Sequence, residues 1–340
     1  MASFTNFLFR PTYHLSIAHY FLIFFLASSY PHTSKLHFGD ALPSSKPCID
    51  EERRALLAFK QDLIDPSGGF LLGLVKLAVN GKAFHAKRSQ INPSLLSLKH
   101  LSYLDLSRND FQGIPIPTFF GQFKSLRYLN ISHASFGGEI PAHLGNLSNL
   151  NYLDLSEESG YSLLELPSNN LKWLSNLSSL KYLSLEGVDL INTGLKSQLP
   201  TSVGMLHNLK YLNLYNNDMS GSIPKSLGQL SELVHLDLSF NPWEGFLTEA
   251  HFTNLTRLKY FSIGKDTPYP TLPIPLIFNV SYEWVPPFKL HKINIGNCKV
   301  GPAFGAWLQS QTELVFVKLS TTGISDSIPE DWFMIIIFPS

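Results

Sequence analysis

Residues 103–107 read YLDLS, residues 128–132 YLNIS and residues 152–156 YLDLS again, and the phrase returns as YLSLE (182–186), YLNLY (211–215) and HLDLS (235–239). Looser copies follow as YFSIG (260–264), KINIG (292–296) and FVKLS (316–320). Counted at the second residue, successive copies lie 25, 24, 30, 29, 24, 25, 32 and 24 residues apart. Inside the first copy Leu104 and Leu106 alternate with Tyr103, Asp105 and Ser107, which predicts a short strand with one buried face and one outward face. One such unit cannot bury its own leucines. The period therefore predicts stacked coils, each covering the next, with the strands lining one wall in parallel and the segments between them forming the other.

The wider frame, L-x-x-L-x-L-x-x-N, puts Asn109, Asn217 and Asn241 where a coil leaves its strand. Cys298 occupies the same slot. An amide there can satisfy backbone groups at the turn, so these four are expected to form a structural ladder. The slot holds Ala134, Glu158, Val188, Asp266 and Thr322 in the other copies. A second phrase fills the return half of several coils: GEIPAHLGNLSNL (138–150), GSIPKSLGQLSEL (221–233) and QLPTSVGMLHNL (198–209). Its Ile-Pro favours extended backbone, and its LGxL supplies apolar residues for one short helical turn.

Together these phrases resemble the leucine-rich repeat, and the LxGxIPxxLGxLxxL form resembles its plant-specific class over roughly residues 91–333. The resemblance implies an α/β solenoid, a horseshoe of about nine to ten coils with a short parallel sheet on the concave face. Residues 48–70 (CIDEERRALLAFKQDLIDPSGGF) look like the N-terminal cap of plant leucine-rich repeat receptors, with Leu56, Leu57, Phe59, Lys60 and Leu63 at helical spacing. Such caps usually continue into a Trp-rich, Cys-bearing segment. This chain has no further Cys until Cys298, so Cys48 lacks the expected partners, and residues 74–79 are left to serve as a degenerate first strand around Leu77.

Residues 1–29 read as a signal peptide, in which Arg10 and His14 precede the short apolar run YFLIFFLA (20–27). Residues 30–47 follow as an unstructured lead-in, 48–73 as an incomplete cap, 74–333 as repeats and 334–340 as a truncated tail. Its apolar stretch MIIIF is too short to cross a bilayer. Two coils are overlong, one carrying EESGYSLLELPSNNLK and the other a Pro-rich run with Pro268, Pro270, Pro273, Pro275, Pro286 and Pro287. Solenoid insertions are expected to emerge as surface loops. With 26 basic against 26 acidic residues the formal charge is zero, which gives no pull toward nucleic acid or anionic membrane.

Motifs for chemistry are missing from the sequence: no G-x-S-x-G, H-E-x-x-H, C-x-x-C or phosphate-binding Gly loop occurs, and the 12 histidines do not cluster at ligand spacing. No enzyme activity, metal or cofactor is expected. Asp105, Asp154 and Asp237 share one strand column and read as a solvated, hydrogen-bonded row. The outward column ahead of each strand leucine is the candidate ligand face: Tyr103, Tyr128, Tyr152, Tyr182, Tyr211 and Tyr260, with His235 among them. Glycan acceptors N-x-S/T occur at Asn130, Asn146, Asn176, Asn254 and Asn279. Asn146, Asn176 and Asn254 each precede the next strand's core residue by seven positions, which places them in one stripe.

The expected function is the extracellular ligand-recognition module of a plant receptor-like protein, in defence or developmental signalling, cut short before any membrane span. By resemblance such proteins bind a protein or peptide ligand on the concave face and signal through a partner kinase acting as co-receptor. The alternative is a secreted inhibitor of a wall-degrading enzyme such as polygalacturonase. Those inhibitors resemble this chain in repeat type but carry paired cysteines in both caps.

Overall fold

The computed structural model describes residues 91–157, 163–165, 171–188, 198–264 and 276–328, together with Arg54, Leu63–Ile64, His85–Ala86 and Trp332. The expected leader, lead-in and tail lie outside the described residues, as do Cys48 and the first strand expected at 74–79. Every described residue belongs to one compact unit, Cys48–Ser340. In the cap region Leu63–Ile64 pairs antiparallel with His85–Ala86. Leu63 is thus extended where its spacing predicted helix. Ile64 is β-branched and lies two residues before Pro66, a setting in which helices end.

The nine phrases form nine strands: Tyr103–Asp105, Tyr128–Asn130, Tyr152–Asp154, Tyr182–Ser184, Tyr211–Asn213, His235–Asp237, Tyr260–Gly264, Lys292–Gly296 and Phe316–Ser320. They lie side by side in chain order in one all-parallel sheet, paired slot for slot, as in Tyr103↔Tyr128 and His235↔Tyr260. Chain-order parallel pairing with a coil between each pair is what a solenoid requires. The inward slots close the core. Leu104, Leu129, Leu153, Leu183, Leu212 and Ile293 have no exposed surface at all. At the last strand Phe316 is exposed and Val317 and Leu319 only partly buried, so the described apolar interior thins there.

Six of the strands end in a corner built from backbone in the left-handed region. Arg108, His133, Asn216, Phe240, Asn297 and Thr321 adopt positive φ between 51° and 57°, four residues after the leucine slot. A non-glycine residue resists that conformation by about 1 kcal/mol. The amides of the first five hold the corner by bonding across to the next coil: Arg108 N–H donates to the Ser132 carbonyl at 2.9 Å, and Phe240 N–H to that of Gly264 at 2.8 Å.

The return segments form 3-10 turns rather than α-helix, among them Thr118–Gln122, Ala142–Asn146, Thr201–Met205 and Lys225–Gln229. Pro117, Pro141, Pro200 and Pro224 precede these four turns in extended conformation, which accounts for the Pro in the second phrase. The glycine of LGxL has a packing reason. A Cβ on Gly121 would strike the His143 carbonyl of the next turn, and one on Gly228 the carbonyl of Ala250, while at Gly145 it would lie 2.8 Å from that of Trp173.

Both overlong coils depart from the loop expectation, because part of each extends a second, smaller set of parallel ladders. Leu163–Glu165 pairs with Gly137–Glu139, and Leu276–Phe278 with Gly245–Leu247. Leu164 and Leu276 bury their side chains in the common core. The inserted residues thus contribute packing as well as length.

Close approach at the 3-10 turns is directly testable. Gly228→Ala is expected to destabilise the protein by about 1–3 kcal/mol, because backbone rather than a flexible side chain must move. Urea unfolding reads this. Ala at Lys225, on the same turn but exposed, should leave the midpoint nearly unchanged.

Candidate functional site

The outward face of the sheet is organised in columns, one per slot of the phrase. In the first slot the rings stack on one another from coil to coil. Centroid separations are 4.1 Å for Tyr103–Tyr128, 4.3 Å for Tyr128–Tyr152, 4.1 Å for Tyr152–Tyr182, 4.4 Å for Tyr182–Tyr211 and 4.2 Å for Tyr211–His235, with planes within 16° of parallel. The stack loosens at Tyr260, 5.6 Å from His235 and tilted by 32°. These outward side chains, expected as the candidate ligand face, are half-buried rather than exposed. Their ring faces cover one another along the stack.

Burial and the neighbouring carboxylates push the hydroxyls of Tyr103, Tyr152 and Tyr211 well above the ordinary tyrosine range. Burial, and secondarily Lys292, lower His235 to about 3, so its ring stacks as neutral imidazole. The column is first of all a structural spine.

The third slot explains the D-x-S of the phrase. Asp105 Oδ1 accepts from the Ser107 amide at 3.0 Å and its hydroxyl at 2.6 Å, Asp154 does the same with Ser156, and Asp237 with Ser239. Asn130 substitutes freely because only that oxygen is needed, accepting from Ser132 at 3.0 and 2.7 Å. The tyrosine spine joins in, Tyr152 donating to Asp154 Oδ2 at 3.1 Å. Asp105 and Asp154 are buried rather than solvated, at 7% and 8% exposure. Burial, opposed by the bonds from Ser156, raises Asp154.

In the turn slot, Asn109 Nδ2 donates to the Leu106 and Ser107 carbonyls at 2.7 and 3.1 Å. Asn241 Nδ2 donates to the Leu238 and Ser239 carbonyls and across to that of Leu214, while its Oδ1 accepts from the amides of Asn217 and Met219 at 3.1 and 2.9 Å. Cys298 is buried with its thiol directed at the Gly296 carbonyl at 3.4 Å, and burial raises that thiol to about 12. Asn217 is fully buried, yet neither of its amide atoms has a hydrogen-bond partner. Glu158 lies outside the described residues. The ladder's work in that coil is done by its neighbour, Glu157, whose Oε1 accepts from the Ala134 amide at 3.2 Å. Burial raises Glu157 to about 7. Sequence reasoning missed it, because a long side chain reached the ladder from the slot beside it.

The glycan acceptors separate by burial. Asn146 and Asn176 close the 3-10 turns Ala142–Asn146 and Leu171–Asn176, and both are exposed, as are Asn254 and Asn279. Asn130 is 8% exposed and committed to Ser132 and the Tyr128 hydroxyl, so the expectation of a glycan there is withdrawn. Among the described residues no group of His, Cys, Asp and Glu is placed to hold a metal ion, and no helix is long and apolar enough to cross a membrane.

The model for a leucine-rich repeat region matches residues 81–326. Over 90 residues, 26% of this chain, the sequence is 36% identical to Receptor-like protein EIX2 and 33% identical to Receptor-like protein EIX1, both of Solanum lycopersicum. Receptor-like protein 54 of Arabidopsis thaliana is 47% identical over 49 residues. These alignments take in 8%, 8% and 6% of the relatives' own lengths, so the chain matches a small part of each. Among solved structures, the ectodomain of the Arabidopsis thaliana receptor kinase GASSHO1/SCHENGEN3 is similar in fold, with a TM-score of 0.59 over 72% of this chain and 27% of that one, at 22% identity.

Three outcomes follow from the columns. Tyr182→Ala removes two ring stacks and is expected to cost about 2–3 kcal/mol in urea unfolding, with Tyr182→Phe costing far less. A carboxyl raised by burial binds its proton more tightly folded than unfolded. Stability should therefore fall as pH rises from about 4.5 through about 7, and Glu157→Gln should flatten part of that slope. Glycopeptide mass spectrometry of secreted protein should find modification at Asn146, Asn176 and Asn254 and none at Asn130.

Proposed function

The chain belongs to the family of leucine-rich repeat regions, and on that premise we propose that it is the ligand-recognition module of a plant receptor-like protein, working outside the cell on a protein or peptide ligand. One observation carries the reading. The inward slots are uniformly apolar along nine strands, whereas the outward third slot runs Asp105, Asn130, Asp154, Ser184, Asn213, Asp237, Ser262, Asn294 and Lys318. The fifth slot, Ser107 to Ser320, is also irregular, with Glu186 and Tyr215 among serines and glycines. Most of these side chains are buried and committed to the D-x-S bonds, whereas Glu186, Tyr215, Asn294 and Lys318 keep exposed surface and differ from coil to coil, so on a rigid wall they can change specificity at small cost to the fold.

We place recognition at these accessible, varying positions, with the regular tyrosine spine supporting them from one side. The similarity to the tomato receptor-like proteins supports the receptor-like setting. A role in defence or development and a partner kinase as co-receptor belong to the same proposal.

The test begins with peptides selected from a displayed random library on the secreted chain, each remade with a photoreactive residue. Cross-links are expected on the strand wall, around residues 184–186, 213–215 and 237–239. Cross-links confined to the 3-10 wall, around Lys225 and Gln229, or no selectable peptide at all, would overturn the proposal.

A further inference from the structure

One column of the strand wall has no part in the spine, the D-x-S bonds or the turn ladder. It lies immediately ahead of the tyrosines and runs Ser102, Arg127, Asn151, Lys181, Lys210, Val234, Lys259, His291 and Val315. Its members stand in strict register: the Asn151 amide donates to the Arg127 carbonyl, that of Lys181 to Asn151 and that of Lys210 to Lys181, each at 2.8 Å. Four adjacent coils thus carry Arg, Asn, Lys and Lys across about 15 Å, at about 4.8 Å per strand.

None of the three cations forms an ion pair with a described residue. Further along, Lys259 and His291 share Glu313 at 2.7 and 3.1 Å, and Arg257 pairs with Glu232 at 2.8 Å. The fold therefore supplies acidic partners at this edge elsewhere and leaves the stretch from Arg127 to Lys210 unneutralised. Like charges on adjacent strands repel, so packing gives no reason for placing Lys181 beside Lys210. Arg127 and Lys181 are exposed and Lys210 half-buried, each one residue ahead of a tyrosine of the stack.

From these observations we propose that Arg127, Lys181 and Lys210 form a docking edge for an extended acidic peptide segment lying across the coils. The proposal rests on the recognition reading above and names the chemistry of its ligand. Asp105, Asp154, Glu186 and Asp237 occupy the middle of the same wall and repel a polyanion, which confines it to the strands' leading edge. Acidic side chains at alternate positions of an extended peptide fall about 6.8 Å apart on one face, so three of them span the distance from Arg127 to Lys210. Asn151, between the cations, donates one side-chain N–H to the Asn149 carbonyl at 3.2 Å and has a second for the peptide backbone.

The test uses the full secreted chain and a fluorescein-labelled decapeptide of glutamate, with a serine decapeptide as the uncharged control, followed by anisotropy at low and high salt. The glutamate peptide should bind, more weakly in high salt, and the serine peptide should not. The triple variant Arg127→Gln, Lys181→Gln, Lys210→Gln should lose affinity about tenfold or more with its unfolding midpoint unchanged. Lys172→Gln with Lys225→Gln, on the opposite wall, should have no such effect. Binding that survives the triple variant, or falls equally in the opposite-wall variant, overturns the docking edge. So does a wild-type chain that takes polygalacturonate through these cations but not the peptide. Any of these results beside strand-wall cross-links from selected peptides would remove the edge alone and leave the recognition reading in place. Glutamate-peptide binding through the column beside cross-links confined to the 3-10 wall would do the reverse.

Discussion

The hydrogen bond from one coil's strand to the next sets the dimension to which the other features of this protein conform. Parallel strands lie about 4.8 Å apart, and the sheet holds that spacing slot for slot through nine strands. Flat side chains repeated in one slot at that spacing must lie nearly in van der Waals contact. The tyrosines accordingly stack at 4.1–4.4 Å, where isolated tyrosines on a surface would not. On the opposite wall the same spacing brings 3-10 turns so close that the second residue of LGxL has no room for a Cβ. Two motifs that look unrelated in sequence answer one geometric demand.

Features that depend on the period were legible in the sequence, and features that depend on a side chain's reach were not. The strands, their order and their register follow from alternation and spacing, since Leu104, Leu153 and Leu212 can be buried only by a neighbouring coil. The ladder at Asn109 and Asn241 follows from its slot. Glu157 was invisible because its carboxylate bonds Ala134 in the coil before it, and nothing local distinguishes it from an exposed glutamate. The acceptor at Asn130 failed for the same reason: N-I-S is a local pattern, whereas burial of that amide is imposed by adjacent strands and by Ser132. Insertions read as loops because their strands, Leu163–Glu165 and Leu276–Phe278, pair with partners lying outside the main period.

The tyrosine column shows how regularity can mislead about function. A residue repeated coil after coil invites a binding role, yet repetition is also what a stack requires, since each ring needs the next one in place. Recognition of a particular ligand needs the opposite property, positions that differ along the array. By that criterion the informative positions are the outward residues that keep exposed surface, Glu186, Tyr215, Asn294 and Lys318, and the leading edge with Arg127, Lys181 and Lys210.

Charge divides the wall further. Asp154, Glu157 and Glu186 are raised chiefly by burial, which means that the interior of the face disfavours negative charge. The fold tolerates them by hydrogen bonds from Ser156, Ala134 and Asn213 rather than by cations. A cation at the leading edge cannot serve as their close partner, because three residues of extended strand, about 10 Å, separate the edge slot from the aspartate slot. The basic edge and the acidic interior thus remain electrically distinct across a face only a few residues wide. A partner that spans the strands would meet positive charge first, then the edges of aromatic rings, then buried acceptors whose hydrogen bonds are already committed within the coil or to its neighbour. Such a gradient sets an orientation for any charged partner before close contact is made.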